Sequence, residues 1–100
     1  MDSGIEPKHY TVQFDETALS DLKSLPKQAQ AQILKAAKKL VQLARPSGSR
    51  QLKGYEKLYR LRTGDYRIIY AIENDILTVL IVAIGDRKQV YEDLSRRINR

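Results

Sequence analysis

Apolar residues fall at a spacing of two in KHYTVQF (residues 8–14), where Tyr10, Val12 and Phe14 line one side; this alternation predicts a first strand. The period then lengthens. Asp15 is a good helix N-cap, Glu16 suits the positive end of the helix dipole, and Ala18, Leu19, Leu22 and Leu25 follow at helical spacing. Pro26 breaks that helix and can open a second, over roughly residues 27–44. Its stripe is Ile33, Ala37, Leu40 and Ala44, with Gln28, Gln32, Lys35, Lys39 and Gln42 outward. RPSGSR (45–50) reads as a loop. Three runs rich in β-branched and aromatic residues come next, at about 55–62, 66–73 and 76–84. Their short connections predict an antiparallel meander. Gly85 ends the last strand, and RKQVYEDLSRRINR can form a short final helix. The expected fold is α+β, a single domain over residues 1–100 in the order β-α-α-β-β-β-α, with the meander packed against a helical hairpin.

The turn inside LYRLRTGDYRIIY (58–70) sets the register of the first two meander strands. Gly64-Asp65 suits a two-residue type II′ turn, which wants glycine first. Thr63 then pairs with Tyr66, Arg62 with Arg67, Leu61 with Ile68 and Arg60 with Ile69. One face holds Tyr59, Leu61, Tyr66, Ile68, Tyr70 and Ile72, and should receive the helices. The other holds Leu58, Arg60, Arg62, Arg67, Ile69 and Ala71. A slip of one residue would bury the arginines, so the register is strongly specified. Opposed arginines repel, by a few tenths of a kcal/mol or more. Asp65 or Glu56 could neutralise them, but a bound phosphate matches guanidinium forks better. Asn74-Asp75 suits another tight turn, which brings Arg87 beside the strand that carries Arg67. Tyr91 follows one helical turn later. Arg60, Arg62, Arg67, Arg87 and Tyr91 are thus expected to converge on one concavity as an anion site.

Composition narrows what that site can be. The 100 residues are 42% apolar, with a net charge of +6 and a pI near 9.7, which favours a polyanionic partner. Seven cations (Arg45, Arg50, Lys53, Lys57, Arg60, Arg62, Arg67) lie between residues 45 and 67, against only Glu56 and Asp65. There is no cysteine, so no disulfide and no thiolate nucleophile. The longest apolar stretch, 76–84, is broken by Thr78 and too short to cross a membrane. MDSGIEPKHY lacks the features of a signal peptide, which leaves the cytoplasm as the expected compartment. His9 is the sole histidine and reads as structural, while Ser47 and Ser49 have no base partner. No ligand spacing or glycine loop suggests a metal or nucleotide, so no cofactor is expected. Arginines with one tyrosine can still cleave RNA. The ribose 2′-hydroxyl attacks the adjacent phosphorus while arginines stabilise the charge on the phosphoryl oxygens. A tyrosine acidified by neighbouring cations can take the proton or orient the nucleophile, or it can stack on a base.

Two segments carry a resemblance. LKGYEKLYRLRTGDYRIIY (52–70), with its G-D-Y-R turn, and AIGDRKQVYEDL (83–94), with its G-x-R-x-x-V-Y ending, make the chain similar to the RelE toxins of the RelE/ParE toxin–antitoxin superfamily over nearly its full length. The resemblance implies a metal-independent, ribosome-dependent endoribonuclease that enters the 30S A site and cuts mRNA by 2′-hydroxyl attack. It would leave a 2′,3′-cyclic phosphate and a 5′-hydroxyl. The implied partners are the ribosome with its rRNA and mRNA, a RelB-like or other antitoxin encoded alongside, and promoter DNA through the antitoxin complex; no membrane is implied. Position by position, the transition-state arginine falls on Arg67, the proposed general-acid arginine on Arg87, the C-terminal tyrosine on Tyr91 and the strand's basic residue on Arg60. Arg62, Lys57, Lys53 and Arg50 are left as RNA and phosphate contacts. Leu58 stands where some relatives carry a lysine proposed as part of the base machinery, and Asp86 where many carry histidine. A ParE-like gyrase inhibitor on the same fold, without nuclease activity, stays open, as does a simple nucleic-acid-binding module. The final helix, with Tyr91, Leu94 and Ile98 as its narrow apolar stripe, is expected to be the weakest element and the one an antitoxin displaces.

Overall fold

In the computed structural model, which describes residues 9–98, the strands are β1 (Thr11–Phe14), β2 (Ser49–Gln51), β3 (Leu58–Thr63), β4 (Tyr66–Glu73) and β5 (Thr78–Asp86). The helices are α1 (Glu16–Lys23), α2 (Lys27–Gln42) and α3 (Gln89–Ile98). The five strands form one sheet in the order β1-β5-β4-β3-β2. β1 runs parallel to β5, and the other neighbours are antiparallel. Lys8, placed in the first strand by its pattern, lies outside the described residues, and His9 is exposed.

The expected register of β3 on β4 is present pair for pair, from Leu58↔Ala71 to Thr63↔Tyr66. Gly64 has φ +62° while Asp65 keeps a negative φ, as a type II′ turn requires. A Cβ at Gly64 would also stand 2.7 Å from Nε2 of Gln32, whose amide donates to the Thr63 carbonyl at 2.9 Å. Gly64→Ala should therefore cost roughly 1–2 kcal/mol, from the left-handed backbone and from the loss of the Gln32 clamp. A lowered urea midpoint with an unchanged m-value is the expected observation.

Three local expectations are corrected. Residues 49–51 are a short edge strand rather than loop, because Arg62 N–H donates to the Gly48 carbonyl and draws the segment alongside β3. β3 begins at Leu58, not 55, since Leu52 N–H bonds the Leu58 carbonyl and closes residues 52–58 into a turn. Asn74–Ile76 forms a 3-10 turn with Leu77 left-handed at φ 47°, so β5 begins at Thr78.

The sheet has two covered faces. On one, Ala18 and Leu22 of α1 and Ile33, Ala37 and Leu40 of α2 pack on Leu61, Ile68, Tyr70, Val79, Ile81 and Ile84. Tyr70 is fully buried, donates its hydroxyl to the Ala44 carbonyl at 2.8 Å and stacks on Tyr59, with ring centroids 5.9 Å apart. Burial pushes its phenol up from the ordinary value. On the other face, Val90 and Leu94 of α3 cover Ile69 and Ala83. Gly85 makes that approach possible, because a Cβ there would meet Val90 Cβ at 3.3 Å. The stripe that seats α3 is thus Val90 and Leu94, and Tyr91 stands 36% exposed beside it instead of within it. The Ile98 side chain lies outside the described ones. Among the described residues no helix is long and apolar enough to cross a membrane.

Candidate functional site

The pleat of β3 puts Arg60 and Arg62 on the face away from the helical hairpin. Arg67 stands directly opposite Arg62, and the edge strand sets Arg50 directly opposite Arg60. Four guanidinium-bearing positions therefore share one patch of sheet, across β2, β3 and β4. Arg50 was readable only as part of a charge run, because a three-residue strand carries no alternation to announce itself.

Two of these arginines are anchored by backbone. Arg67 Nη1 donates to the Gly64 and Tyr66 carbonyls at 3.0 and 2.9 Å, folding the side chain against its own turn. Arg60 Nη1 donates to the Gly48 carbonyl at 3.2 Å, across the edge strand. Each guanidinium has five N–H donors, so each keeps a fork free for a ligand. Arg62 is exposed. Neither Asp65 nor Glu56 forms an ion pair among the described residues, where the pairs are Arg96–Asp93 and Arg97–Asp21. Arg45 leaves the set altogether, since its guanidinium lies over the Tyr59 ring at 5.2 Å on the helical side.

Arg87 joins through its main chain. Its N–H donates to the Asp65 carbonyl at 2.9 Å, which fastens the end of β5 to the hairpin turn, as expected from sequence. A depression of about 350 Å³ lies there, lined by Asp65, Asp86, Arg87 and Lys88. The helical relation expected between Arg87 and Tyr91 does not hold, because α3 starts only at Gln89. Residues 87 and 88 form a turn ahead of the helix, and Asp86 Oδ1 closes it by accepting the Lys88 and Gln89 N–H groups at 2.9 and 2.7 Å. Arg87 thus sits in the connecting turn, exposed, and Tyr91 in the first turn of α3. Lys53 and Lys57 belong to the connection before β3. Lys57 precedes Arg62 by five residues, about 17 Å of strand, so the two lysines extend the basic patch away from the hairpin turn. Lys53 borders a second depression of about 440 Å³ formed by residues 51–56.

The two N–H groups hold the Asp86 carboxyl below the usual carboxylate range, with Lys88 and Arg87 adding to the effect. A carboxyl depressed in the folded state stabilises it above the ordinary pKa, and that contribution is lost as pH falls through the depressed value. The protection factors for amide exchange at Lys88 and Gln89, taken relative to the intrinsic rate at each pH, should therefore fall on acidification within that window. Asp86→Asn should remove this pH dependence. Among the described residues no three His, Cys, Asp or Glu side chains are grouped so as to hold a metal ion.

Comparison with known proteins gives a consistent picture. The family described as "ParE toxin of type II toxin-antitoxin system, parDE" matches residues 12–91. The mRNA interferase toxin RelE of Escherichia coli is 27% identical over 93 residues, covering 89% of this chain and 97% of that protein. Among solved structures, the toxin-antitoxin complex RelBE2 from Mycobacterium tuberculosis superposes with a TM-score of 0.72 at 30% identity, covering 79% of this chain and 99% of the matched one. The archaeal RelE-RelB complex from Pyrococcus horikoshii gives a TM-score of 0.70 at 28% identity, over 81% of this chain and 98% of the matched one.

Proposed function

The chain belongs to the RelE/ParE superfamily of type II toxin–antitoxin toxins, and on that premise we propose that it cuts mRNA in the A site of the ribosome. The observation that carries this reading is the set of opposed arginines, Arg50 with Arg60 and Arg62 with Arg67, which share one sheet face and have no carboxylate ion-pair partner among the described residues. Such a surface is strained by its own charge until an anion sits on it. A folded RNA backbone brings several phosphates at once.

In the proposed reaction the 2′-oxygen attacks phosphorus, the bond to the 5′-oxygen breaks, and a 2′,3′-cyclic phosphate and a 5′-hydroxyl result. Arg67, held by the turn carbonyls, stabilises the non-bridging oxygens as charge gathers on them. Arg87 donates to the leaving 5′-oxygen, and Arg60 holds the flanking phosphate. Tyr91 orients the 2′-hydroxyl or stacks on its base. Arg62, Arg50, Lys53 and Lys57 guide the strand. Guanidinium groups stay charged at any working pH, so Arg87 hydrogen-bonds the leaving 5′-oxygen without giving up its own proton; water or a group of the ribosome takes the 2′-proton, and water returns one to the 5′-oxygen. A RelB-type antitoxin is the proposed protein partner, since the solved relatives named above are toxin–antitoxin complexes. Promoter DNA would be met only through that complex.

A second reading is the ParE-like inhibition of DNA gyrase that the resemblance leaves open, and the matching family's name, ParE toxin, favours it. Purified protein incubated with programmed ribosomes and, separately, with gyrase and supercoiling substrate separates the two. Cleaved message with normal supercoiling is the expected result. Blocked supercoiling with intact message would replace the nuclease reading.

A further inference from the structure

β1 and β5 differ in length, and the difference leaves an open edge. β1 pairs with β5 only from Thr78 to Ile81, while β5 continues to Asp86. Beyond Ile81 the strand would expose backbone groups toward the missing neighbour. Two side chains fill that place. Asp21 Oδ2, from α1, accepts the Ile84 N–H at 3.1 Å, and Arg97 Nη1, from α3, donates to the Val82 carbonyl at 3.2 Å. The same two groups bind each other as a fork, Arg97 Nη2 to Asp21 Oδ1 at 2.8 Å and Nη1 to Oδ2 at 3.1 Å. The bulge at this point of the ladder, where Val82 is passed over between Ala83 and Ile81, turns that carbonyl out of the regular register. The pair is mostly covered, with side-chain exposures of 26% for Arg97 and 17% for Asp21.

We propose that Asp21 and Arg97 form a positioning clip that fixes the roll of α3, and through it the placement of Tyr91 against the RNA. The proposal rests on the ribonuclease reading given above. Val90, Leu94 and Arg97 are spaced i, i+4, i+7 and so lie along one stripe of the helix. The first two make only non-directional apolar contact with the sheet. A short helix seated on two apolar side chains can roll. A planar guanidinium–carboxylate fork, itself bonded to the backbone of β5, cannot accommodate that roll without breaking. Tyr91, adjacent to Val90 and outside the stripe, moves with any such rotation. Asp21 and Arg97 touch no substrate in this scheme. They act by bridging a helix on one face of the sheet to a helix on the other, around the open edge of β5.

The test uses Asp21→Asn and Arg97→Lys in the full chain. Asparagine still accepts from Ile84 N–H, and lysine keeps the charge, so both variants retain the fold while losing the fork. Single-turnover cleavage on programmed ribosomes should fall at least about tenfold at saturation, with the half-saturating ribosome concentration changed less than about twofold, since positional errors near 1 Å can cost ~10²-fold in rate. In protein labelled with 3-fluorotyrosine, the Tyr91 resonance, assigned by its absence in Tyr91→Phe, should shift or broaden in both variants. Unchanged cleavage and an unchanged Tyr91 resonance in active preparations would overturn the clip alone. So would a loss confined to half-saturation. A wild-type protein that leaves programmed message intact would overturn the ribonuclease reading, and this proposal with it.

Discussion

Arg67→Ala and Arg87→Ala are each expected to lower cleavage of ribosome-bound message by on the order of 10²–10³-fold, the loss typical of one preorganised donor to a developing oxyanion. The two should fail for different reasons. Arg67 is held by the Gly64 and Tyr66 carbonyls, so its free N–H groups point in a direction set before substrate arrives. Lysine cannot reproduce a fork pinned at one nitrogen, and Arg67→Lys should recover little. Arg87 is fastened through its main chain to the Asp65 carbonyl, its side chain is exposed, and in the proposed reaction RNA is what would order it. Arg87→Lys should therefore recover more. Arg96→Ala serves as the control, because Arg96 is an exposed side chain paired to Asp93 four-fifths of the way along α3 and meets none of the proposed site. Cleavage rates by primer extension, with circular dichroism confirming the fold, give the measurement. Toxicity that survives the Arg67→Ala and Arg87→Ala double substitution in folded protein would move the gyrase reading ahead.

The hairpin that carries Arg62 and Arg67 was legible because two independent signals agree there. Gly64-Asp65 specifies the turn, and the alternation of Leu61, Ile68 and Tyr70 specifies which side faces the core. The helical hairpin was legible for the same kind of reason, a sustained stripe ending at a proline. What escaped were features that depend on main-chain bonds between distant segments. The strand at Ser49–Gln51 exists because Arg62 and Gly48 bond across it, and three residues cannot show a period. The spacing of Tyr91 to Leu94 fits the apolar stripe of α3, yet Tyr91 stands beside that stripe. The helix phase is instead set by the turn that Asp86 closes and by the hollow at Gly85, which admits Val90. Asp21 and Arg97 are 76 residues apart and each reads as an ordinary surface charge until the short β1 leaves an edge for them to fill. The roles proposed for Arg60, Arg67, Arg87 and Tyr91 come from the resemblance together with this geometry, and the substitutions above test those of Arg67 and Arg87.

Message on the ribosome should be cut faster than the same RNA free in solution by many orders of magnitude. The reason lies in what the arginine face does and does not contain. It offers stabilisation for phosphoryl oxygens, but the one histidine of the chain, His9, stands on the approach to β1, with β5 and β4 between it and the arginines of β3. Leu58, where a lysine could have assisted proton removal, packs instead against the small core beneath α3. With proton transfer left weak, most of the acceleration has to come from holding the 2′-oxygen in line with the scissile bond. Well-oriented intramolecular geometry contributes ~7–11 kcal/mol, far more than one acid–base group adds. Free RNA is flexible and reaches that geometry rarely, even when its phosphates are bound by Arg50, Arg60 and Arg62. A codon clamped in the A site is held by the ribosome before the toxin arrives, so the entropic part of the barrier is met elsewhere. Binding and cleavage should then separate. Naked RNA should bind the protein with a steep salt dependence set by its arginines and lysines, yet stay intact. Parallel time courses with purified protein, one on naked message and one on the same message in programmed ribosomes, give the ratio directly. Equal rates would mean that the chain carries its own base and aligns its own substrate, and the ribosome would lose its place in the mechanism.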